Sequence, residues 1–88
     1  MMNSMTVAET LSIPITVDYL VDDEVYQVSC PWLQGCHAWG VTLDEAIRAI
    51  PENIRAMVAA RRSRGSRLPV QLQEFGPDTP FSLRMVVA

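Results

Sequence analysis

From Leu11 onward apolar and polar side chains alternate. Ile13, Ile15, Val17 and Tyr19 fall on one side and Ser12, Thr16 and Asp18 on the other, the pattern of a strand with one buried face. Pro14 cannot donate a ladder hydrogen bond, so it marks the strand's first residues or a solvent-facing edge, and the strand itself is placed over Ile15 to Val21. Asp22-Asp23 supplies a turn. Val25, Gln27 and Ser29 then alternate with Tyr26, Val28 and Cys30 in a second β-rich run, which pairs with the first as an antiparallel hairpin. Pro31 ends that run, Gly35 permits a tight reversal, and Cys36 to Val41 forms a third strand.

The period then changes. Thr42 stands as a helix N-cap with Glu45 three positions on, the capping-box spacing. Ala46, Ile47, Ile50, Ile54, Met57 and Val58 recur as the one-sided stripe of an amphipathic helix. Asp44 and Glu45 in its first turn and Arg61 and Arg62 in its last suit the helix dipole. Pro51 lacks an N–H and crowds the preceding turn, so a kink near Ile47 to Ile50, or two helices meeting at Pro51, is expected. Gly65 is the natural stop. Ser66 to Pro80 reads as a polar passage and loop, and Phe81, Leu83, Met85 and Val87 alternate with Ser82, Arg84 and Val86 as a fourth strand.

Three strands, a kinked helix and a last strand make an α+β fold: a three-stranded antiparallel meander covered on one side. Residues 1–10 show no period and read as a flexible leader, which leaves 11–88 as one domain. Eighty-eight residues suffice for one core, and 49 % apolar with 19 % charged residues is ordinary globular composition. A formal net charge of −3 argues against a broad phosphate-facing surface. All the basic residues are arginine, and Arg61, Arg62, Arg64 and Arg67 cluster late, whereas Asp18, Asp22, Asp23 and Glu24 gather early. The absence of a leader peptide or long apolar run points to the cytoplasm, with no membrane contact.

Chemistry is sparse. Cys30, Cys36 and His37 carry zinc-compatible atoms, but their spacing fits no knuckle and no fourth ligand is visible, so no metal and no cofactor is expected. A Cys30–Cys36 disulfide has the reach of the hairpin but is foreign to a reducing compartment. Asp18 is the one strand carboxylate, and two-metal phosphoryl chemistry needs several converging. Trp32 and Trp39 flank the reversal. Tryptophan is enriched at the centres of protein interfaces, so at least one serves as an interface anchor or else both belong to the core. The acidic turn Asp22, Asp23 and Glu24 complements a basic partner or is a solvated surface. The late arginines read as dipole complement and solubilising surface, with phosphate contact the lesser reading.

A motif runs through the middle of the chain: an aromatic residue in the second strand, a proline, a leucine, a glycine-cysteine pair, a glycine, and a threonine-led helix with glutamate-alanine. These are Tyr26, Pro31, Leu33, Gly35, Cys36, Gly40, Thr42, Glu45 and Ala46. The pattern resembles the HicB-like antitoxin domain. The resemblance implies a partial ribonuclease-H-like fold that acts as a non-enzymatic protein-binding module. In toxin–antitoxin members that module masks a small RNA-cleaving toxin of the HicA type, with a double-stranded-RNA-binding-like fold. Many such antitoxins add a C-terminal DNA-binding domain, of which this sequence has none, so direct nucleic-acid contact is not expected. The chain departs from the pattern at Trp32, Gln34, Trp39 and Pro51. A small sheet with open edges and one covering helix also leaves backbone and apolar surface unpaired, so a homo-oligomer, dimer or tetramer, is expected. Two other classes stay open: a degenerate ribonuclease-H-like RNA-processing enzyme and a solitary nucleic-acid-binding regulator.

Overall fold

The fold is known from a computed structural model that describes residues 10–87. Except for Thr10, the leader expected over residues 1–10 lies outside the described residues. Strands β1 (Leu11–Leu20), β2 (Val25–Ser29) and β3 (His37–Gly40) lead into helix α1 (Leu43–Arg64), and strand β4 (Phe81–Met85) follows a short 3-10 turn at Val70–Leu72. The sheet order is β3-β2-β1-β4. β1 pairs antiparallel with β2, and β2 with β3, as the meander requires, whereas β4 lies parallel to β1.

β1 begins at Leu11, four residues before the expected start, and Pro14 sits inside it. The reason is register. Only Thr16 to Leu20 pair with β2, whereas Leu11 to Ile15 pair with β4. Ile15 accepts a hydrogen bond from the Val86 N–H on the β4 side. Its neighbour Pro14 therefore turns its missing donor toward the β2 side, beyond the end of β2, where no ladder is interrupted.

α1 is one continuous helix from Leu43 to Arg64, not two helices meeting at Pro51. Its start is the predicted capping box: Glu45 N–H donates to Thr42 Oγ1 at 3.1 Å, and Glu45 Oε1 accepts from the Val41 N–H at 3.0 Å. Gly65 closes it in the left-handed region at φ 71, with Ser66 N–H donating to the Arg61 carbonyl.

Ala46, Ile50, Ile54 and Val58 are buried against the sheet, and Ile47 and Met57 are half-buried at the margin of the stripe. α1 covers β3 and β2. Beyond it, the passage expected to be a polar loop contributes Leu68, Leu72 and Phe75 to the core. That passage is tied to α1: Arg62 Nη2 donates to the Gln73 carbonyl at 2.8 Å and Arg55 Nη1 to the Pro77 carbonyl at 2.8 Å. The Arg55 guanidinium also lies 4.8 Å over the Phe81 ring.

Candidate protein-binding surface

α1 covers one face of the sheet. Ile13, Ile15, Val28 and Ala38 point into the core, so the alternate residues of each strand point away from α1. Register places Thr16, Ser29 and His37 in one cross-strand row of that open face and Asp18, Gln27 and Trp39 in the next. The rows are joined by hydrogen bonds: His37 Nδ1 lies 3.0 Å from Gln27 Nε2 and 2.8 Å from Ser29 Oγ. With the Gln27 amide donating, Nδ1 is the acceptor of this network. The His37 ring also packs 5.8 Å from that of Trp39, whose side chain remains 54 % exposed. A large aromatic is thus steadied on a polar, uncovered sheet face. Alternation alone did not point to the His37 network, since its members converge only when Ser29 is set opposite His37.

The acidic turn sits at one end of this face. Asp22, Asp23 and Glu24 are all exposed, and the turn is closed by Glu24 N–H donating to the Leu20 carbonyl at 2.7 Å, with Glu24 in the left-handed region at φ 55. Trp39 belongs to the strand row nearest it after Leu20 and Val25. Trp32 lies elsewhere, in the turn at the far end of β2, half-buried against the core. The two tryptophans that flank one another in sequence are thus separated in space, one packed inward and one displayed.

The remaining motif residues are scaffold. The Tyr26 ring packs at a tilt of 60° against that of Tyr19, with ring centroids 5.0 Å apart. Pro31 and Gly35 shape the exposed β2–β3 turn, Gly35 at φ 85, and Leu33 and Cys36 are buried beneath it. Gly40, Thr42, Glu45 and Ala46 form the strand-to-helix junction. Of the late arginines, Arg61 Nη2 donates to the Gln34 carbonyl at 3.3 Å and Arg62 holds the Leu72–Gln73 passage, so these two act as internal ties, while Arg64 and Arg67 are exposed. An open groove of about 1030 Å³ runs between α1 and the Phe75–Pro77 segment and includes none of the open-face residues in its lining.

Cys30 and Cys36 are free, buried thiols whose backbones close the turn, Cys30 N–H donating to the Cys36 carbonyl at 3.0 Å. Burial pushes the Cys30 thiol up, against the opposing N–H groups of Trp32 and Leu33. Burial, assisted by the neighbouring Cys30, pushes Cys36 from 9.0 up to about 11, against the pull of Arg61. A thiol whose folded value stands above its unfolded one stabilises the fold fully below the unfolded value and loses that contribution as pH rises through the folded value. Unfolding midpoints are therefore expected to be flat through neutral pH and to fall between about pH 9 and 11, and Cys36→Ser should flatten that fall. Neither thiol should react with an alkylating reagent at neutral pH until the protein unfolds.

Among the described residues no group of three or more His, Cys, Asp or Glu side chains is placed to hold a metal ion. Asp18 stands on the open face without a second carboxylate in its row or in the row of Thr16, Ser29 and His37. No described helix is long and apolar enough to cross a membrane.

The family model described as the HicB_like antitoxin of bacterial toxin-antitoxin system matches residues 13–76, most of the chain. The chain belongs to the HicB-like antitoxin family. The match runs from Ile13, two residues into β1, through the Phe75 passage, so the helix, nearly all of the meander and the segment that completes the core lie within the HicB-like domain. Searches of curated proteins and of solved structures gave no match.

Proposed function

We propose that this protein is a non-enzymatic antitoxin-like module, a single HicB-like domain over 11–88, that masks a small basic RNA-cleaving toxin of the HicA type. The observation that carries the reading is Trp39: more than half exposed, steadied by the His37–Ser29–Gln27 network, and set toward the end of the sheet that carries Asp22, Asp23 and Glu24. A rigid exposed tryptophan offers large contact area at little entropic cost, and a nearby cluster of carboxylates steers a basic partner toward it. Trp32, packed against the core from the neighbouring turn, supports the hairpin and reaches a partner only at its rim. The order of three antiparallel strands, helix and parallel last strand supports the partial ribonuclease-H-like reading of the fold. Self-association through a sheet edge belongs to the same proposal.

The test is titration against a HicA-type protein from the same host, with growth rescue on co-expression as the cellular readout. Trp39→Ala is expected to weaken binding by about 30-fold or more while leaving the unfolding midpoint nearly unchanged, as for a hot-spot anchor. The triple change Asp22→Asn, Asp23→Asn, Glu24→Gln should slow association and flatten its salt dependence. Absence of binding by the unaltered protein, or full binding by Trp39→Ala, would reject the reading.

A further inference from the structure

Three of the chain's seven basic residues, Arg48, Arg55 and Arg62, stand at seven-residue intervals on α1, and all three line the groove between α1 and the Phe75–Pro77 segment. At the helical rise per residue their Cα atoms are spaced about 10.5 Å apart along one side of α1. Two of the guanidinium groups are fixed in place. Arg55 Nη1 donates to the Pro77 carbonyl at 2.8 Å while its guanidinium lies 4.8 Å over the Phe81 ring, and Arg62 Nη2 donates to the Gln73 carbonyl at 2.8 Å. A guanidinium carries several N–H donors, so others remain for a ligand. Arg48 is paired with Asp44 at 3.0 Å, both side chains being exposed, and such a surface pair is readily exchanged for another. Glu52 is the single carboxylate of the lining, so a cationic strip marks a molecule of net charge −3. Between the arginines the lining is small and apolar, with Pro51 and the exposed Ala56 and Ala59 on α1 and Phe75 and Pro77 opposite.

We infer that this groove docks an amphipathic helix of a partner protein, one that carries carboxylates at heptad spacing beside a row of apolar side chains. Charge selects the class of partner. Three arginines against one glutamate attract an acidic segment and repel a basic one, so the occupant differs from the basic toxin assigned to the open sheet face. Spacing selects the conformation. A helix lying along α1 meets the three guanidinium groups in turn when Asp or Glu recurs at every seventh residue. An extended segment would need acids about three residues apart to match the same interval, and those fall on opposite faces of a strand. The small side chains of Ala56 and Ala59 let the incoming backbone approach α1 closely, which brings its larger apolar residues against Phe75 and Pro77. Arg55 and Arg62, already held by carbonyls, lose little freedom on binding. Arg55 then has two roles: it ties the Phe75–Pro77 segment to α1, and it presents the middle of three anion contacts. The groove shares no lining residue with the Trp39 face, so its ligand and the toxin are not expected to compete.

Fluorescence anisotropy with a labelled synthetic helical peptide of about 18 residues, ~27 Å long, tests this. Leucine and alanine form one face of the peptide, and glutamate recurs at every seventh residue beside them. The unaltered protein is expected to bind it with a Kd on the order of tens of micromolar, more weakly as salt rises, and to bind the peptide with glutamine for glutamate about tenfold more weakly. Ala59→Glu sets a carboxylate between Arg55 and Arg62 at an exposed helix position, where it pairs with both, so affinity should fall about tenfold at an unchanged unfolding midpoint. Arg48→Glu should cost about three- to tenfold, regained with a peptide that carries lysine in place of the glutamate at one end or the other. Trp39→Ala should leave this binding as it was. No binding by the unaltered protein, equal binding of the glutamine peptide, indifference to Ala59→Glu, or no rescue of Arg48→Glu by either lysine peptide overturns the inference. So does binding that appears only after removal of residues 1–9, which would make that segment the occupant, or only on dilution, which would make it a second copy.

Discussion

Gly40→Ala should cost about 3 kcal/mol or more of stability, a loss read as a large fall in the denaturant or thermal midpoint. A Cβ at this position would stand 2.6 Å from the Ala46 backbone nitrogen, 2.7 Å from Glu45 Cβ and 2.8 Å from the Thr42 carbonyl oxygen. None of these is the free end of a flexible side chain. They form the first turn of α1, held by the reciprocal bonds of Thr42 and Glu45 and by the fully buried Ala46. Relief therefore requires moving the helix start off the sheet, and the stripe at Ile50 and Ile54 moves with it. Gly35→Ala provides the contrast. Nothing lies within 4 Å of a Cβ there, and the residue needs glycine only for φ 85, so its cost is about 1 kcal/mol. The two glycines of one motif thus do different work, the first allowing a turn and the second a close approach of strand and helix. Equal losses for the two variants would contradict the close approach at Gly40.

Local signals in the sequence were sufficient for the elements whose partners are near in the chain. Alternation marked β1 and β2, the Thr42–Glu45 spacing marked the helix start, and the apolar stripe named all four buried residues of α1. Where contacts are distant, the same signals fell silent. Phe81 to Met85 reads as a strand, but nothing in its own pattern says that it lies parallel to β1. Leu68, Leu72 and Phe75 sit among prolines, glycine and polar residues with no sustained period. Their burial follows only once α1 is seen to cover β2 and β3 and to leave the core above β1 open. Pro14 misled about the strand start because its tolerance depends on β2 ending at Ser29, a fact of register. Arg61 and Arg62 suit the helix dipole from the sequence, and their ties to the carbonyls of Gln34, Leu72 and Gln73 appear only in three dimensions. For the candidate surface the limit is the same. The tryptophans and the acidic turn were visible as residue types, while the separation of Trp32 from Trp39 and the network that steadies Trp39 required the pairing of Ser29 with His37.

The same division between scaffold and display predicts the behaviour of Leu33→Ala. Leu33 lies in the turn between β2 and β3, where side chains are ordinarily exposed, yet it is 0 % exposed and belongs to the core with Cys30 and Cys36. Its N–H donates to the Cys30 carbonyl and its carbonyl accepts from the Cys36 N–H, both at 3.0 Å, so the turn is wound around this one side chain. Truncation leaves a cavity beneath a turn, and the expected cost is about 2–5 kcal/mol. Collapse into the cavity is resisted by the ties of Arg61 to Gln34 and Asn53 to His37, which hold the turn at a fixed distance from α1 and favour the upper part of that range. The second consequence concerns the partner. β3 enters from this turn, so a loosened turn frees the strand that carries Trp39, and toxin affinity should fall even under conditions where Leu33→Ala remains folded. Leu33 is wholly buried in the core and offers a partner no surface, whereas Trp39→Ala is expected to lose affinity at nearly unchanged stability. Measuring both quantities on both variants separates the residue that displays from the residue that contacts. A Leu33→Ala protein within about 1 kcal/mol of the parent would show that the turn does not depend on its buried leucine.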